Sequence, residues 1–178
     1  MRTLLTEVEL REGVSRLGNQ IEKYYEGKPL TLIAVMTGSL VLLADLIRVL
    51  NMPLRVGVIQ ASSYRGGVSS GDLRISSELM LDVSGRDVLL VDDIFDTGKT
   101  LQRLVQEMIE CKASSVRSAV LLHKQREHSV EIRPDFVAFD IPDEFVVGYG
   151  LDYLDLYRNL PYLAVLDAGD IEEAAKQV

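Results

Sequence analysis

A chain of 178 residues, 47% hydrophobic and 26% charged, is long enough for one domain with a substantial core and too apolar for a disordered protein. Its formal net charge of −8 argues against a protein that coats nucleic acid or binds an anionic membrane surface. The single cysteine, Cys111, excludes an internal disulfide framework. Without a signal-peptide core or a membrane-length apolar run, the composition predicts a soluble cytoplasmic protein.

The predicted elements alternate between helices and strands. In chain order they are a helix over 10–24, begun by a capping box at Thr6 and Glu9, a strand over 30–36, a helix over 40–50, strands over 53–62, 74–81 and 88–91, a helix over 99–110, strands over 116–122, 136–141, 145–147 and 162–166, and a short acidic tail. This alternation favours one α/β domain built on a parallel sheet with right-handed crossovers.

The stretch from Val88 to Leu101 organises the rest of the chain. Four apolar residues predict a strand buried on both faces, which we expect Asp92 and Asp93 to end. Asp96 and a small, hydroxyl-rich turn follow, and then an apolar stripe predicts a helix; the stripe contains Leu101, Leu104, Val105, Met108 and Ile109. A strand that leads into a helix N-terminus is where open α/β sheets bind ligands, and free N–H groups there suit a phosphate.

The three acids narrow the choice of ligand. Like charges about 4 Å apart repel by about 4 kcal/mol at an effective dielectric of about 20, so the site favours a divalent cation or a ligand rich in hydroxyl donors. A P-loop is excluded because Asp93 stands where that motif has its first glycine, five positions before Gly98. A receiver domain also has paired aspartates at a strand end, but it needs its phosphoacceptor one strand later. Here the third acid, Asp96, lies on the same turn, so a receiver domain is disfavoured.

Taken whole, residues 88–101 resemble the phosphoribosyl-pyrophosphate signature of the type I phosphoribosyltransferase family: an apolar run, two acids, two further residues, then Asp-Thr-Gly-Lys-Thr. Other segments resemble its 6-oxopurine branch, the hypoxanthine-guanine phosphoribosyltransferases. These are the pyrophosphate loop at 36–39, the catalytic lid at Ser63 and Tyr64, the purine lysine at Lys124, the base-binding segment at 145–153 and the late arginine at Arg158. The matches extend from about residue 30 to residue 166.

The resemblance implies a fold and a reaction. The fold would be a single domain over 1–178, with a central, mostly parallel sheet flanked by helices, a flexible lid at about 62–73 and a small base-binding hood at about 142–178, built from terminal segments. The reaction would be purine salvage: magnesium-dependent transfer of the 5-phosphoribosyl group from phosphoribosyl pyrophosphate to N9 of hypoxanthine or guanine, giving IMP or GMP and pyrophosphate. A homodimer or homotetramer is implied, without nucleic-acid or membrane partners.

The resemblance also implies a role for each matching residue. Asp96 would be the base that handles the proton on purine N7, and Ser63 and Tyr64 would close over the site. The implied ligand contacts are Asp92, Asp93, Asp96, Thr97, Gly98, Lys99 and Thr100 with phosphoribosyl pyrophosphate and its 5-phosphate; Thr37, Gly38, Ser39 and Arg158 with pyrophosphate; Lys124, Phe145, Val146 and Asp152 with the purine; and Asp92, Asp93 and Asp152 with Mg²⁺.

Two alternatives stay open, and one position departs from the family pattern. The chain could prefer xanthine, or it could be a regulatory protein of the same fold that senses phosphoribosyl pyrophosphate and binds RNA or DNA. Thr37 stands where many members carry a lysine, so one positive charge is missing from the pyrophosphate loop. That loop often contains a non-proline cis peptide in the family. Neither His123 nor His128 receives a role.

Overall fold

The computed structural model describes residues 1–62, 74–76, 81–128 and 130–176. The elements are β1 (Arg2–Leu5), α1 (Glu7–Tyr25), β2 (Leu30–Met36), α2 (Leu40–Val49), β3 (Leu54–Ser62), β4 (Arg74–Ser76), β5 (Asp87–Phe95), α3 (Lys99–Glu110), β6 (Ser115–Lys124), β7 (Phe136–Ile141), β8 (Val146–Val147), β9 (Leu163–Val165) and α4 (Ala168–Ala175). Ser63, Tyr64 and most of the predicted lid lie outside the described residues.

The central sheet has the strand order β4-β3-β2-β5-β6-β7. The five strands from β3 to β7 in this order are mutually parallel, and β4 pairs antiparallel with β3 at the edge. The predicted parallel α/β sheet is therefore confirmed. Helices cover both faces, which is why the centre of β5, Val88 to Val91, has no measurable exposure.

Alternation along β2 divides the core in two. Leu32 and Ala34 pack into a cluster with α1 and α2, whereas Ile33 and Val35 pack into a second cluster with α3. Successive side chains of a strand point to opposite faces, so one buried strand supplies both clusters. This arrangement holds β2 and β5 rigidly at the centre of the molecule.

The helices α1 and α3 largely follow their sequence patterns. The predicted capping box is present: the Thr6 N–H donates to Glu9 Oε2 at 2.8 Å, and the Glu9 N–H donates to Thr6 Oγ1 at 3.3 Å. In α3 the prediction of an apolar stripe facing the core is wrong for Ile109, which is 55% exposed. At about 100° per residue Ile109 lies about 80° around the helix from Leu101, on the opposite side from Leu104.

The acids do not end β5, contrary to expectation. The strand continues through Asp92 and Asp93 to Phe95 because β6 keeps pairing with it, Asp92 opposite Val120 and Phe95 opposite His123. The backbone hydrogen bonds of the neighbouring strand outweigh the low strand propensity of aspartate.

A second, smaller sheet joins the two ends of the chain, in the order β1-β9-β8, with both pairings antiparallel. Strand β1 was not predicted. The acidic tail was not predicted to be helical, yet α4 forms there. Asp167 and Asp170 make a second capping box at its start. Among the described residues, no helix has the length and apolar character needed to cross a bilayer.

Candidate active site

A cavity of about 840 Å³ opens at the carboxyl ends of the parallel strands. From β2 the chain continues to β3 on one side, and it later returns to place β5 on the other side. Ligands of open α/β sheets bind where the strand order reverses in this way. The lining residues are Val35, Met36, Thr37, Gly38, Gln60, Asp92, Asp93, Ile94, Phe95, Asp96, Thr97, Gly98, Thr100, Leu101, Phe145, Asp152, Tyr153, Leu154, Asp155 and Arg158.

Asp92, which is buried, and Asp93, which is partly buried, form a pair of acids at one wall of the cavity. Burial and then the Asp93 charge raise the pKa of Asp92 well above its usual range. Burial also raises the pKa of Asp93, against the opposing effect of hydrogen bonds from Asp92 and the Ile94 N–H. Among the described side chains, no lysine or arginine lies within ion-pair distance of either acid. The pair is therefore poised for a ligand that brings positive charge or hydroxyl donors.

Asp96 lies three residues further on, in a different environment. Its side chain is 40% exposed and pairs with Arg126 Nη1 at 3.0 Å and with Lys124 Nζ at 3.7 Å. Asp143, in the loop after β7, lies 3.5 Å from the same two cationic atoms. Two carboxylates and two cationic side chains thus alternate near the ends of β5 and β6. Together they hold the Asp96 carboxylate beside the Lys124 ammonium.

The loop after β2 is wedged between Asp93 and the hood. A Cβ on Gly38 would lie 1.7 Å from Asp93 Oδ2, and a Cβ on Gly150 would lie 2.2 Å from the Gly38 carbonyl oxygen. Only glycine can occupy either position without displacing a neighbour, and Gly150 also has a positive φ of 102°. The Met36–Thr37 peptide bond is cis, as it often is in the family that the sequence resembles.

The turn from Asp96 to Thr100 forms the base of the cavity. Gly98, with φ of 82°, is the N-cap of α3, and no side chain caps this helix. The first N–H groups of α3 are therefore left for a ligand, and an anion suits them. Thr97, Gly98 and Thr100 line the cavity, whereas Lys99 is exposed and lies outside the lining.

The hood contributes an aromatic rim and one arginine. Phe145 is 48% exposed although it is large and apolar, and it meets Tyr153 edge-to-face at 5.5 Å between ring centroids. Arg158 pairs with Asp152 at 2.8 Å and with Asp155 at 3.2 Å, and it donates to the Gly150 carbonyl at 2.9 Å. An exposed ring beside a cavity offers a flat ligand a stacking surface.

Most of the residues singled out in the sequence meet at this cavity. Those that line it are Thr37, Gly38, Asp92, Asp93, Asp96, Thr97, Gly98, Thr100, Phe145, Asp152 and Arg158, and Lys124 reaches it through Asp96. Ser39, whose hydroxyl donates to the Val35 carbonyl at 2.6 Å, and buried Val146 do not line it.

Sequence reasoning missed several residues. Gln60 lines the cavity from β3 at the register position of Met36, so the rule about carboxyl ends of parallel strands could have located it. Arg126 follows Lys124 by two residues, yet it lies in a charged loop whose pattern resembles an ordinary solvated surface. Asp155 lines the hood side just beyond the predicted base-binding segment 145–153, and no sequence signal separates it from its neighbours; Tyr153, inside that segment, also lines the cavity although no role was assigned to it.

The acids at the cavity fit magnesium as a partner. Among the described residues, no group of three or more His, Cys, Asp and Glu side chains is arranged to hold a metal ion. Magnesium sites often use only one or two carboxylates together with substrate phosphates and waters. Asp92 and Asp93 offer two adjacent carboxylates and therefore suit such a shared site.

The chain belongs to the phosphoribosyltransferase family, since residues 4–154 match the family described as the phosphoribosyl transferase domain. The hypoxanthine-guanine phosphoribosyltransferase of Streptococcus pneumoniae strain R6 is 43% identical over 166 residues, which cover 93% of this chain and 92% of that protein. A crystal structure of a hypoxanthine-guanine phosphoribosyltransferase from Bacillus anthracis has a TM-score of 0.88 and 37% identity, with coverage of 94% and 99%. The hypoxanthine phosphoribosyltransferase of Trypanosoma cruzi, in complex with the product IMP, has a TM-score of 0.88 and 38% identity, with coverage of 95% of each chain. The resemblance drawn from the sequence is confirmed.

Proposed function

We propose that the protein transfers the 5-phosphoribosyl group of phosphoribosyl pyrophosphate to N9 of hypoxanthine or guanine, giving IMP or GMP and pyrophosphate. One observation carries the proposal: the Asp96 carboxylate lies 3.7 Å from the Lys124 ammonium at the edge of a cavity that two further acids, Asp92 and Asp93, also line. A proton acceptor and a donor for a 6-oxo group thus lie side by side. The relatives' names and the IMP complex of the Trypanosoma cruzi enzyme support the same reaction.

At the sugar, the reaction breaks the bond from C1 to the pyrophosphate oxygen and forms the bond from C1 to purine N9. Positive charge develops on the ribose as pyrophosphate leaves, and fixed carboxylates stabilise such a charge. Asp92 and Asp93 would hold the ribose hydroxyls, since both carboxyl groups line the cavity.

At the purine, Asp96 would take the proton that leaves N7 as N9 acquires its new bond. Its carboxylate is held by Arg126 and Lys124 and is accessible at the cavity. General bases of this kind contribute about 10²–10⁴-fold to the rate. The N9 lone pair forms the new bond to C1, the electrons of the broken C1–O bond leave with pyrophosphate, and the N7 proton goes to Asp96.

Recognition of the base would come from Lys124 and the hood. An ammonium donates to a 6-oxo group but meets the amino group of adenine donor against donor, which a buried polar site penalises strongly. Phe145 would stack on the ring, and Val146, being buried, would act through its backbone. Asp152 would complete the purine site.

The phosphates would occupy the two loops at the carboxyl edge of the sheet. The turn 96–100, Lys99 included through its backbone, would hold the 5-phosphate. Thr37 and Gly38 would bind pyrophosphate through their backbone, and Arg158 would supply charge that Thr37 lacks. The predicted contribution of Ser39 is not part of the proposal, because its N–H and hydroxyl both donate to the Val35 carbonyl. Magnesium, held by Asp92, Asp93 and Asp152 together with the substrate, would neutralise the pyrophosphate. On the resemblance alone, we assign closure over the site to Ser63 and Tyr64.

The decisive experiment is an assay with magnesium, phosphoribosyl pyrophosphate and each of hypoxanthine, guanine, xanthine and adenine. We expect IMP and GMP and little AMP. No nucleotide from any 6-oxopurine would refute the proposal, and a preference for xanthine would reassign the substrate. Lys124→Gln should lose discrimination against adenine, whereas Lys28→Gln, an exposed lysine at the opposite edge of the sheet, should keep it.

We further propose a cytoplasmic homodimer or homotetramer. The one cysteine, Cys111, is an exposed free thiol, which suits a reducing compartment. The assembly is implied by the family resemblance. Sedimentation velocity on the purified protein measures the oligomeric state directly, and a monomer at all concentrations would contradict this part of the proposal.

A further inference from the structure

Two histidines that the proposed chemistry does not use lie directly behind the turn that carries Asp96. His123 lies on β6 and His128 in the loop that follows, and their rings stack with centroids 5.1 Å apart at 26°. Both rings also pack on Phe95, at 5.6 Å and 4.8 Å. Phe95 is buried and immediately precedes Asp96. The pair is therefore built into the support of the catalytic turn.

A continuous chain of hydrogen-bond contacts runs through the two rings. His128 Nδ1 lies 2.7 Å from the backbone carbonyl oxygen of Asp96. The two Nε2 atoms lie 3.1 Å apart, and His123 Nδ1 lies 2.7 Å from Asp140 Oδ1. The chain thus connects a carboxylate at the outer end to the peptide carbonyl of Asp96 at the inner end.

The partners determine how many protons this chain holds. A carbonyl and a carboxylate only accept, so both Nδ1 atoms must carry a proton. The short distance between the Nε2 atoms requires one proton between them, because two lone pairs or two N–H groups would repel. Three ring protons on two imidazoles amount to one positive charge, shared by His123 and His128.

The surrounding charges suit a single positive charge. Asp140 on β7 faces the outer ring with an exposed carboxylate. At the inner end, the Asp96 carboxylate is already paired with Arg126 and Lys124, so it is not a counter-ion for the histidines alone. Asp143 pairs with the same two cations. A second positive charge on the pair would therefore lack a partner, whereas loss of the first would break the central contact.

We propose that His123 and His128 are positioning residues that hold the Asp96 turn in its working geometry only while they share one proton. The inference rests on the proposed role of Asp96 as the base. Loss of the shared proton at alkaline pH leaves two lone pairs face to face, and a ring that turns to relieve them releases the Asp96 carbonyl. Excess protons at acid pH have the same effect through two facing donors.

Three variants separate positioning from simple packing. His128→Asn keeps a donor near the place of Nδ1 but has no Nε2, so it holds the Asp96 carbonyl without titrating. His128→Leu fills the space beside Phe95 but donates nothing. His123→Gln places a permanent N–H donor opposite His128 Nε2, which replaces the shared proton at alkaline pH.

We expect His128→Leu to lower kcat about three- to tenfold, the value of one hydrogen bond, with an unchanged KM for phosphoribosyl pyrophosphate. His128→Asn should recover to within about twofold of the wild-type kcat at the pH optimum. The ratio of wild-type to His128→Asn kcat should fall at both ends of a profile from about pH 5.5 to about pH 9.5, because titrations outside the histidine pair cancel and the variant lacks the shared proton. His123→Gln should remove the alkaline fall.

Wild-type kcat in His128→Leu, no recovery in His128→Asn, or a ratio that is constant with pH would overturn the proposal. A readout without catalysis comes from ¹⁵N NMR of the histidine rings in the wild-type protein. We expect both Nδ1 atoms protonated and three ring protons in total near the pH optimum; two or four would refute the shared proton. Because the spectrum needs no substrate, this result is distinguishable from a failure of the proposed reaction.

Discussion

Two groups of carboxylates occupy the same strand end in opposite electrostatic environments. Asp92 and Asp93 are enclosed, their pKa values are raised by burial, and no described lysine or arginine is within ion-pair distance. Asp96 is 40% exposed and lies within 4 Å of two cations. The pair has no ion-pair partner among the described side chains, only the more distant charge of Arg158 on Asp93, and therefore favours a ligand, whereas Asp96 is already paired and oriented.

The difference assigns separate tasks to neighbouring residues of one type. A group with no counter-charge gains most when a magnesium-bound substrate arrives, so its contribution belongs to binding and to the charged sugar. A group held by fixed cations is oriented before the substrate arrives, so its proposed contribution belongs to the chemical step. Changes to the first group should therefore alter affinity and stability, and changes to Asp96 should alter the chemical step.

The largest effect should follow from Asp96→Asn. The amide keeps the size of the side chain but cannot accept the N7 proton, so we expect kcat to fall about 100- to 1,000-fold. The Kd for phosphoribosyl pyrophosphate should change less than about threefold, since a charge-neutralised group contributes little to binding. Steady-state kinetics and calorimetry measure the two quantities separately.

Asp143→Asn is the matched control for that variant. Asp143 shares both cations with Asp96 but does not line the cavity. We expect its kcat to stay within about fivefold of the wild type, the range of one hydrogen bond. If both variants lose activity equally, the ion cluster as a whole is needed, and the base is left unassigned.

Asp93→Asn should act mainly on affinity. Loss of a charged partner for the ribose and magnesium is worth about 1.5–3 kcal/mol, which corresponds to an increase of about 10- to 150-fold in the Kd for magnesium phosphoribosyl pyrophosphate. At saturating substrate kcat should fall less than in Asp96→Asn. A lower kcat with an unchanged Kd would contradict the division of tasks.

Asp92→Asn should stabilise the ligand-free protein. The Asp92 oxygen accepts the Asp93 N–H at 3.0 Å, and an amide oxygen can do the same without a buried charge. Removal of a carboxyl whose pKa is raised by burial should increase the free energy of unfolding, and Tm should rise. With saturating magnesium and phosphoribosyl pyrophosphate the advantage should disappear, because the wild type gains more from the ligand. A lower Tm without ligand would show that the pair carries no electrostatic cost.

The smallest effect should come from Lys99→Ala. Lys99 is exposed and outside the cavity lining, so only its backbone is expected to meet the 5-phosphate. We expect kcat/KM within about threefold of the wild type. Thr100→Val, which removes a hydroxyl at the cavity, should raise KM for phosphoribosyl pyrophosphate about three- to tenfold. The reverse ranking would place the lysine side chain on the phosphate.

Local patterns predicted the parts of the fold that are decided locally. The buried strand β2, the capping box of α1 and the turn at Asp96 follow from residues that are close together in the chain. Strand β1 was missed because its partner, β9, lies about 160 residues away, and the four residues of β1 contain no pattern that predicts a strand. The end of β5 was misplaced for a similar reason, since pairing with β6 decides it.

The same distinction applies to the site. Asp92, Asp93 and Asp96 were found because they follow one another in a recognisable stretch. The ion cluster with Arg126 and Asp143, and the histidine pair, form between the end of β6 and loop segments that only the folded chain brings together. Isolated charged residues in a polar loop have no periodicity that could reveal such a contact.

The wedge of Gly38 between Asp93 and Gly150 has a consequence for how this protein can diversify. A methyl group on either glycine would overlap an atom of the site, 1.7 Å from the acid in one case and 2.2 Å from a carbonyl oxygen in the other. A replacement at Gly38 must displace the Asp93 carboxylate from its place in the site, and a replacement at Gly150 must displace the backbone of Gly38. Substitutions that adapt the site to other bases should therefore occur in the hood and at the strand end near Lys124, while Gly38 stays unchanged.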